Sequence, residues 1–170
     1  MGAGRAWLIG GAVEMTESVK HRQHTSIKDA DGFAGEPVIQ ITIASRPDRL
    51  RLVRAVVTEA ALSCGCGKKC VHDIVIAVDE ACQNVIQHAY GGDPDQKILI
   101  DIRRDGESIA FNIIDYATPV DVSKVKPRSL DDLRPGGLGT HFISACMDDA
   151  RFRSPPEGAG NRLWMVKRIK

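Results

Sequence analysis

No stretch of the 170-residue chain approaches the roughly 20 consecutive apolar residues that a membrane-spanning helix needs, so the sequence predicts no membrane helix. A charge excess is missing too. Lys and Arg number 23 and Asp and Glu 22, for a net +1 with histidines neutral, which removes the electrostatic footprint of a nucleic-acid or acidic-membrane binder. The five cysteines, Cys64, Cys66, Cys70, Cys82 and Cys146, are an odd number, and two of them fall at apolar helical positions. That usage suits reduced thiols in a cytoplasm and argues against a disulfide framework. The start, MGAGRAWLIGGAV, lacks a small-residue cleavage site and reads as an unprocessed tail, with Met15 a second candidate start. The remaining composition is ordinary for a globular protein, 43% apolar and 26% charged, at a length that suits one domain plus a tail.

Residues 1–36 mix His, Lys, Gln, Ser, Asp and Gly without periodicity and predict an extension with no fixed structure. At Pro37 the character changes: VIQITIA alternates and is rich in β-branched residues, a first strand that opens a domain over 37–170. Ser45 and Pro47 read as a helix start, and Leu50, Val53, Val56, Val57, Ala60 and Ala61 form a stripe down to Leu62. SCGCGKK at 63–69 breaks that helix. The stretch 71–90, VHDIVIAVDEACQNVIQHAY, predicts a two-faced helix, with Val71, Ile74, Val75, Val78, Cys82, Val85, Ile86 and Ala89 on the apolar face. Gly91-Gly92-Asp93-Pro94 stops it.

Two strand patterns, 97–103 and 108–115, flank an Asp105-Gly106 turn and predict an antiparallel hairpin. Residues 116–135 carry Pro119, Pro127 and Pro135 and read as a long loop. THFISACMDD then predicts a helix with Phe142, Ile143, Cys146 and Met147 inward, and a second hairpin, 150–154 with 162–169, ends the chain. This order has too few crossovers for a doubly wound parallel sheet. It predicts an α+β two-layer α/β sandwich, a mostly antiparallel mixed sheet with helices on one face.

Three polar elements carry the candidate chemistry. Asp73, Glu80, Asn84 and Gln87 line the polar side of the central helix, and Glu80 and Asn84, four apart, can share one water and one metal ion. Asp115 ends a strand, where a carboxylate either turns back on its own backbone or accepts from the exocyclic amine of a base. Gly136-Gly137-Leu138-Gly139-Thr140 leads into a helix, where glycine-exposed amides favour phosphate, though a plain turn has the same composition and no Gly-Lys-Ser/Thr comes after it. Cys64, Cys66, Cys70 and His72 form a fourth cluster whose close spacing is not a standard zinc knuckle; it reads as a turn with incidental, oxidisable thiols.

In combination these elements resemble a known family. Glu80-Ala-Cys-Gln-Asn84 with His88-Ala-Tyr90 is similar to the N-box of the Bergerat-fold ATPases, and within them to the anti-sigma-factor serine/threonine kinases. Asp115-Tyr-Ala-Thr-Pro119 resembles their adenine box, and Pro135-Gly-Gly-Leu-Gly-Thr-His141 with Met147-Asp148 their second glycine box. The resemblance runs from about residue 38 to the C-terminus with the motifs in the family's order.

The resemblance implies an ATP-binding regulatory protein kinase. Asn84 would coordinate Mg²⁺, Glu80 would act as the base on the attacking hydroxyl, and Asp115 would bind the adenine amine. Gly136, Gly137, Leu138, Gly139 and Thr140 would wrap the phosphates beneath a lid at 116–134, with Arg134 offsetting phosphate charge and His88 and Asn161 at the border. Ala117 stands where the family has glycine, which places a methyl group beside the base and implies weaker affinity. No phosphoacceptor-histidine domain precedes the motifs, and His21 and His24 read as free tail histidines. The implied partners are a sigma factor and an anti-anti-sigma protein phosphorylated on Ser or Thr, the implied assembly a homodimer and the location the cytoplasm. Two rivals stand beside this reading: a non-catalytic ATP-dependent switch, and an interaction protein that no longer binds nucleotide.

Overall fold

Alternating isoleucines build the sheet. In the computed structural model, which describes residues 35–119 and 139–169, they fall in strands β1 (Glu36–Ala44), β2 (Lys97–Asp105) and β3 (Ser108–Asp115), and β4 (Asp149–Arg153) and β5 (Asn161–Arg168) complete it. The helices are α1 (Leu50–Ser63), α2 (Lys68–Asn84) and α3 (Gly139–Cys146). The strand order is β1-β2-β3-β5-β4, and each pairing is antiparallel. Ile98, Ile100 and Ile102 of β2 and Ile109, Phe111 and Ile113 of β3 point to one face and are fully or almost fully buried. They meet Val53 and Val57 of α1 and Ile74, Ala77, Val78 and Ala81 of α2 in one apolar core. The period of two on the strands and the three- and four-residue steps on the helices thus close on each other, a two-layer α+β sandwich.

The opposite face of the sheet holds a buried polar ladder. Arg103 Nε donates to Asp101 Oδ2 at 2.8 Å, Asn112 Nδ2 donates to the same oxygen at 3.1 Å, and Arg162 Nε donates to Asn112 Oδ1 at 2.9 Å. Hydrogen bonds across three neighbouring strands offset the cost of burying these groups. They also fix the register that sets β3 against β5.

Three local departures from the sequence reading have physical causes. The expected helix over 71–90 becomes α2 and then a π-helical turn, Val85–Ala89, whose extra residue rotates the chain beyond it and leaves Val85 half-buried while Ile86 stays in the core. Phe142 is 51% exposed, not inward, because Ile143 and Met147, four apart, take the buried line of the short α3. Asp73 does not belong to a polar site face: Lys167 Nζ of β5 donates to its Oδ2 at 3.1 Å and Lys69 Nζ at 3.2 Å.

The α1–α2 turn is the Schellman arrangement. Gly65 takes φ +92°, its N–H donates to the Leu62 carbonyl at 2.9 Å, and the Cys66 N–H reaches the Ala61 carbonyl at 3.0 Å. Cys64, Cys66 and Cys70 are all buried there. Burial, reinforced by the neighbouring Cys70, pushes the Cys66 thiol up to about 12, so it remains a protonated, weakly reactive group in the core. Among the described residues no cluster of His, Cys, Asp and Glu has the arrangement of a metal site, and His72 is exposed.

Lys167 also donates to the Cys146 carbonyl at the end of α3, so one ammonium group ties β5 to both α2 and α3. Both its side chain and that of Asp73 are about 15% exposed. Replacing Lys167 with methionine is expected to cost about 1–3 kcal/mol in urea unfolding, since it leaves a largely buried carboxylate with only the exposed Lys69 as its partner. Burial pushes the Asp73 carboxyl up, but donation from Lys167 and Lys69 outweighs it and holds the group below its usual 3.8. The folded value is the lower one, so the tie contributes fully well above pH 3.8 and is lost as pH falls through the folded value. The stability gap between the native chain and the K167M variant should therefore narrow in acid.

Candidate functional site

The third strand ends on the residue that anchors the candidate site. Asp115 is 5% exposed, and its register partner on β5 is Asn161. Its Oδ1 accepts from the Asn161 amide at 2.9 Å and from the Ala117 N–H at 3.0 Å, a closed turn that fixes the plane of the carboxylate. Asn161 Nδ2 also reaches the Thr118 carbonyl at 3.4 Å. With Oδ1 occupied from two sides, Oδ2 is the acceptor left for a ligand. The turn-forming reading of Asp115 is thus met by one oxygen, Oδ1.

Gly160 completes this corner, and sequence reasoning missed it. Its N–H donates to the Asp115 carbonyl at 2.8 Å. A Cβ at this position would lie 1.8 Å from the Ala117 carbonyl oxygen and 2.9 Å from the Ala117 nitrogen. The place where backbone must approach backbone is thus met from β5. Ala117 itself is half-buried, and no described non-glycine residue has a positive φ, so its methyl group needs no strained backbone. The available signal was a glycine at the start of a strand pattern, which marks a close approach by another segment.

Glu80 and Asn84 sit on α2, one turn apart and both half-buried. The Asn84 amide makes no capping hydrogen bond to the π-helical turn that it precedes. Next to Glu80, Asp79 is spoken for: Arg54 Nη1 donates to one oxygen at 2.7 Å and Gln83 Nε2 to the other at 2.9 Å. Of two consecutive carboxylates, only Glu80 remains available. Burial raises the Glu80 carboxyl above its usual value and the Asp79 charge adds to this, while the nearby His88 opposes it. A carboxylate with raised proton affinity suits a base that must take a proton near neutral pH.

One further side chain links the two groups. Tyr90, at the end of the π-helical turn, donates its hydroxyl to the Lys97 carbonyl at 2.7 Å and accepts from the Tyr116 N–H at 2.8 Å. The Lys97 ammonium lies 4.6 Å from the centre of the Tyr116 ring. Asp115, Ala117 and Asn161 are thus brought together, Glu80 and Asn84 lie one turn apart on α2, His88 is exposed, and Tyr90 joins helix to turn. Gly139 and Thr140 open α3. Arg134, Gly136, Gly137 and Leu138 lie outside the described residues.

This donor set fits a purine nucleotide with a divalent cation. The Asn84 amide oxygen is a ligand of the kind Mg²⁺ takes, and the Glu80 carboxylate one turn away stays available for a proton. A carboxylate oxygen left without a donor on a pinned turn suits an exocyclic amine.

A family profile described as a histidine kinase-like ATPase domain matches residues 43–167. The chain is similar to the serine-protein kinase RsbW of Halalkalibacterium halodurans, at 31% identity over 139 residues that cover 76% of this chain and 82% of that protein. It is similar as well to the serine-protein kinase RsbW of Bacillus subtilis, at 26% identity over 128 residues, 68% of this chain and 78% of the relative. Among solved structures, the crystal structure of the RsbU and RsbW domains of a Mycobacterium tuberculosis protein shares the fold, with a TM-score of 0.55 and 22% identity. That match covers 77% of this chain and 31% of the other, longer one.

Proposed function

Because the chain belongs to the histidine kinase-like ATPase domain family, we propose that it binds Mg-ATP and is a regulatory protein serine/threonine kinase of the anti-sigma type. Its substrate in this reading is a single-domain anti-anti-sigma protein, and its output is control of a sigma factor. The observation that carries the nucleotide part is the Asp115 corner. Asn161 and the Ala117 N–H hold one carboxylate oxygen, which leaves the other as the acceptor for a base, and Gly160 packs its backbone closely against Ala117.

The bound triphosphate and its Mg²⁺ supply the phosphoryl group and neutralise its charge. The chain's own residues do the rest. Asp115 accepts from the adenine amine, and Asn84 offers its amide oxygen to the metal. Glu80 orients the Ser or Thr hydroxyl of the partner and takes its proton. Arg134, Gly136, Gly137, Leu138, Gly139 and Thr140 are assigned the phosphates, and His88 and Asn161 the border of the site, on the resemblance of their motifs. A cytoplasmic location and a homodimer belong to the same proposal, and no described helix is long and apolar enough to cross a membrane.

The test is transfer of labelled γ-phosphate from ATP to a single-domain anti-anti-sigma protein. Label on Ser or Thr of that partner, dependent on Mg²⁺, is the expected result. Label that stays on ATP while the two proteins bind each other would replace the kinase with a nucleotide-dependent switch.

A further inference from the structure

We infer that the Tyr90 hydroxyl is the positioning group that couples the metal-binding helix to the adenine corner and thereby sets the preference for adenine over other purines. The inference rests on the nucleotide reading of the site and gives Tyr90 a role of its own there. Three segments distant in sequence meet at this one oxygen: the π-helical turn beyond Asn84, the first residue of β2, and the residue after Asp115.

The geometry explains why the helix must change pitch there. A regular α-helix through Val85–Ala89 would turn the next side chain by a different angle, whereas one extra residue in the turn carries Tyr90 to the sheet end. The π turn is itself held by the Tyr90 N–H donating to the Val85 carbonyl at 3.0 Å and the Gly92 N–H to the Ile86 carbonyl at 2.8 Å. The hydroxyl is then saturated along its strong directions, accepting one backbone N–H and donating to one backbone carbonyl. The N–H that it accepts belongs to Tyr116, the residue between Asp115 and Ala117, so the phenol holds the middle of the turn whose two ends are fixed by Asn161 and by the Asp115 carboxylate. Take the oxygen away and the turn keeps its ends but loses its middle. The second carboxylate oxygen then no longer has one fixed direction, and the contact that suffers is the one with the exocyclic amine.

Tyr90→Phe keeps the ring and removes only this oxygen. Calorimetric titration of the native chain and the variant with Mg-ATP and with Mg-GTP should show ATP binding about five- to tenfold weaker in the variant, with weak GTP binding unchanged, so that the ATP preference shrinks by the same factor. Uniform loss for both nucleotides, or no change in either, would overturn the role in base selection. If the native chain binds no ATP, the nucleotide reading falls and this inference with it; if it binds and the variant matches it, only this inference falls. A readout on the native chain covers the case of a variant that does not fold. Saturation with Mg-ATP should shift the NMR signals of the Tyr90 phenol carbon and the Tyr116 amide, and signals that stay in place would overturn the coupling.

Discussion

Replacing Gly160 with alanine is expected to weaken Mg-ATP binding by about a hundredfold or more, and to destabilise the fold by about 1–3 kcal/mol. The new methyl carbon would sit 1.8 Å from the Ala117 carbonyl oxygen, and the next contacts, at 2.8 and 2.9 Å, are backbone atoms of the same residue. No side chain can swing aside, so either β5 or the turn after Asp115 must move. Both movements harm the same carboxylate. Shifting β5 withdraws the Asn161 amide from Asp115, and shifting the turn withdraws the Ala117 N–H. Gly158→Ala is the matched comparison, two residues away. There the added carbon meets nothing within 4 Å and the cost comes from a φ of +80°, about 1 kcal/mol of backbone strain with ATP binding retained. Equal ATP affinities for the two variants would remove Gly160 from the site.

The second large effect concerns Glu80. Glu80→Ala should lower the rate of phosphate transfer about 10²- to 10⁴-fold, the usual contribution of a positioned general base, while ATP affinity stays within about twofold of native. Asp79 cannot take over, because both of its oxygens are held by Arg54 and Gln83. The base works only when ionised, so the native rate should fall as pH drops through the Glu80 value, which burial and Asp79 raise above the usual 4.5. A variant that transfers phosphate at the native rate would assign the proton to another group. A native chain that binds ATP and transfers nothing would favour the switch.

The alternation of VIQITIA and the isoleucine-rich 97–103 and 108–115 stretches made the strands legible, because burial on one face imposes period two directly on sequence. The central helix was legible for the same reason at its own period. The π-helical turn was not, since one inserted residue leaves composition and spacing almost unchanged and shows only in where Tyr90 ends up. Asp73 and Glu80 looked alike on the polar side of that helix, and only the fold, which carries Lys167 to Asp73, separates a structural carboxylate from an available one. Asp115 could be named from its motif and Asn161 from the family resemblance, but Gly160 could not, because its reason lies in a backbone 43 positions earlier in the chain, at Ala117. Phe142 was misjudged because a short helix has room for one buried line, and Ile143 and Met147 occupy it.

Nucleotide binding is the central claim, and calorimetry with Mg-ATP on the native chain and on Asn84→Ala and Asp115→Asn tests it most directly. Saturable, Mg²⁺-dependent binding by the native chain that is lost in both variants is the predicted result. A folded native chain that takes up no ATP, or variants that bind it as the native chain does, would contradict the claim.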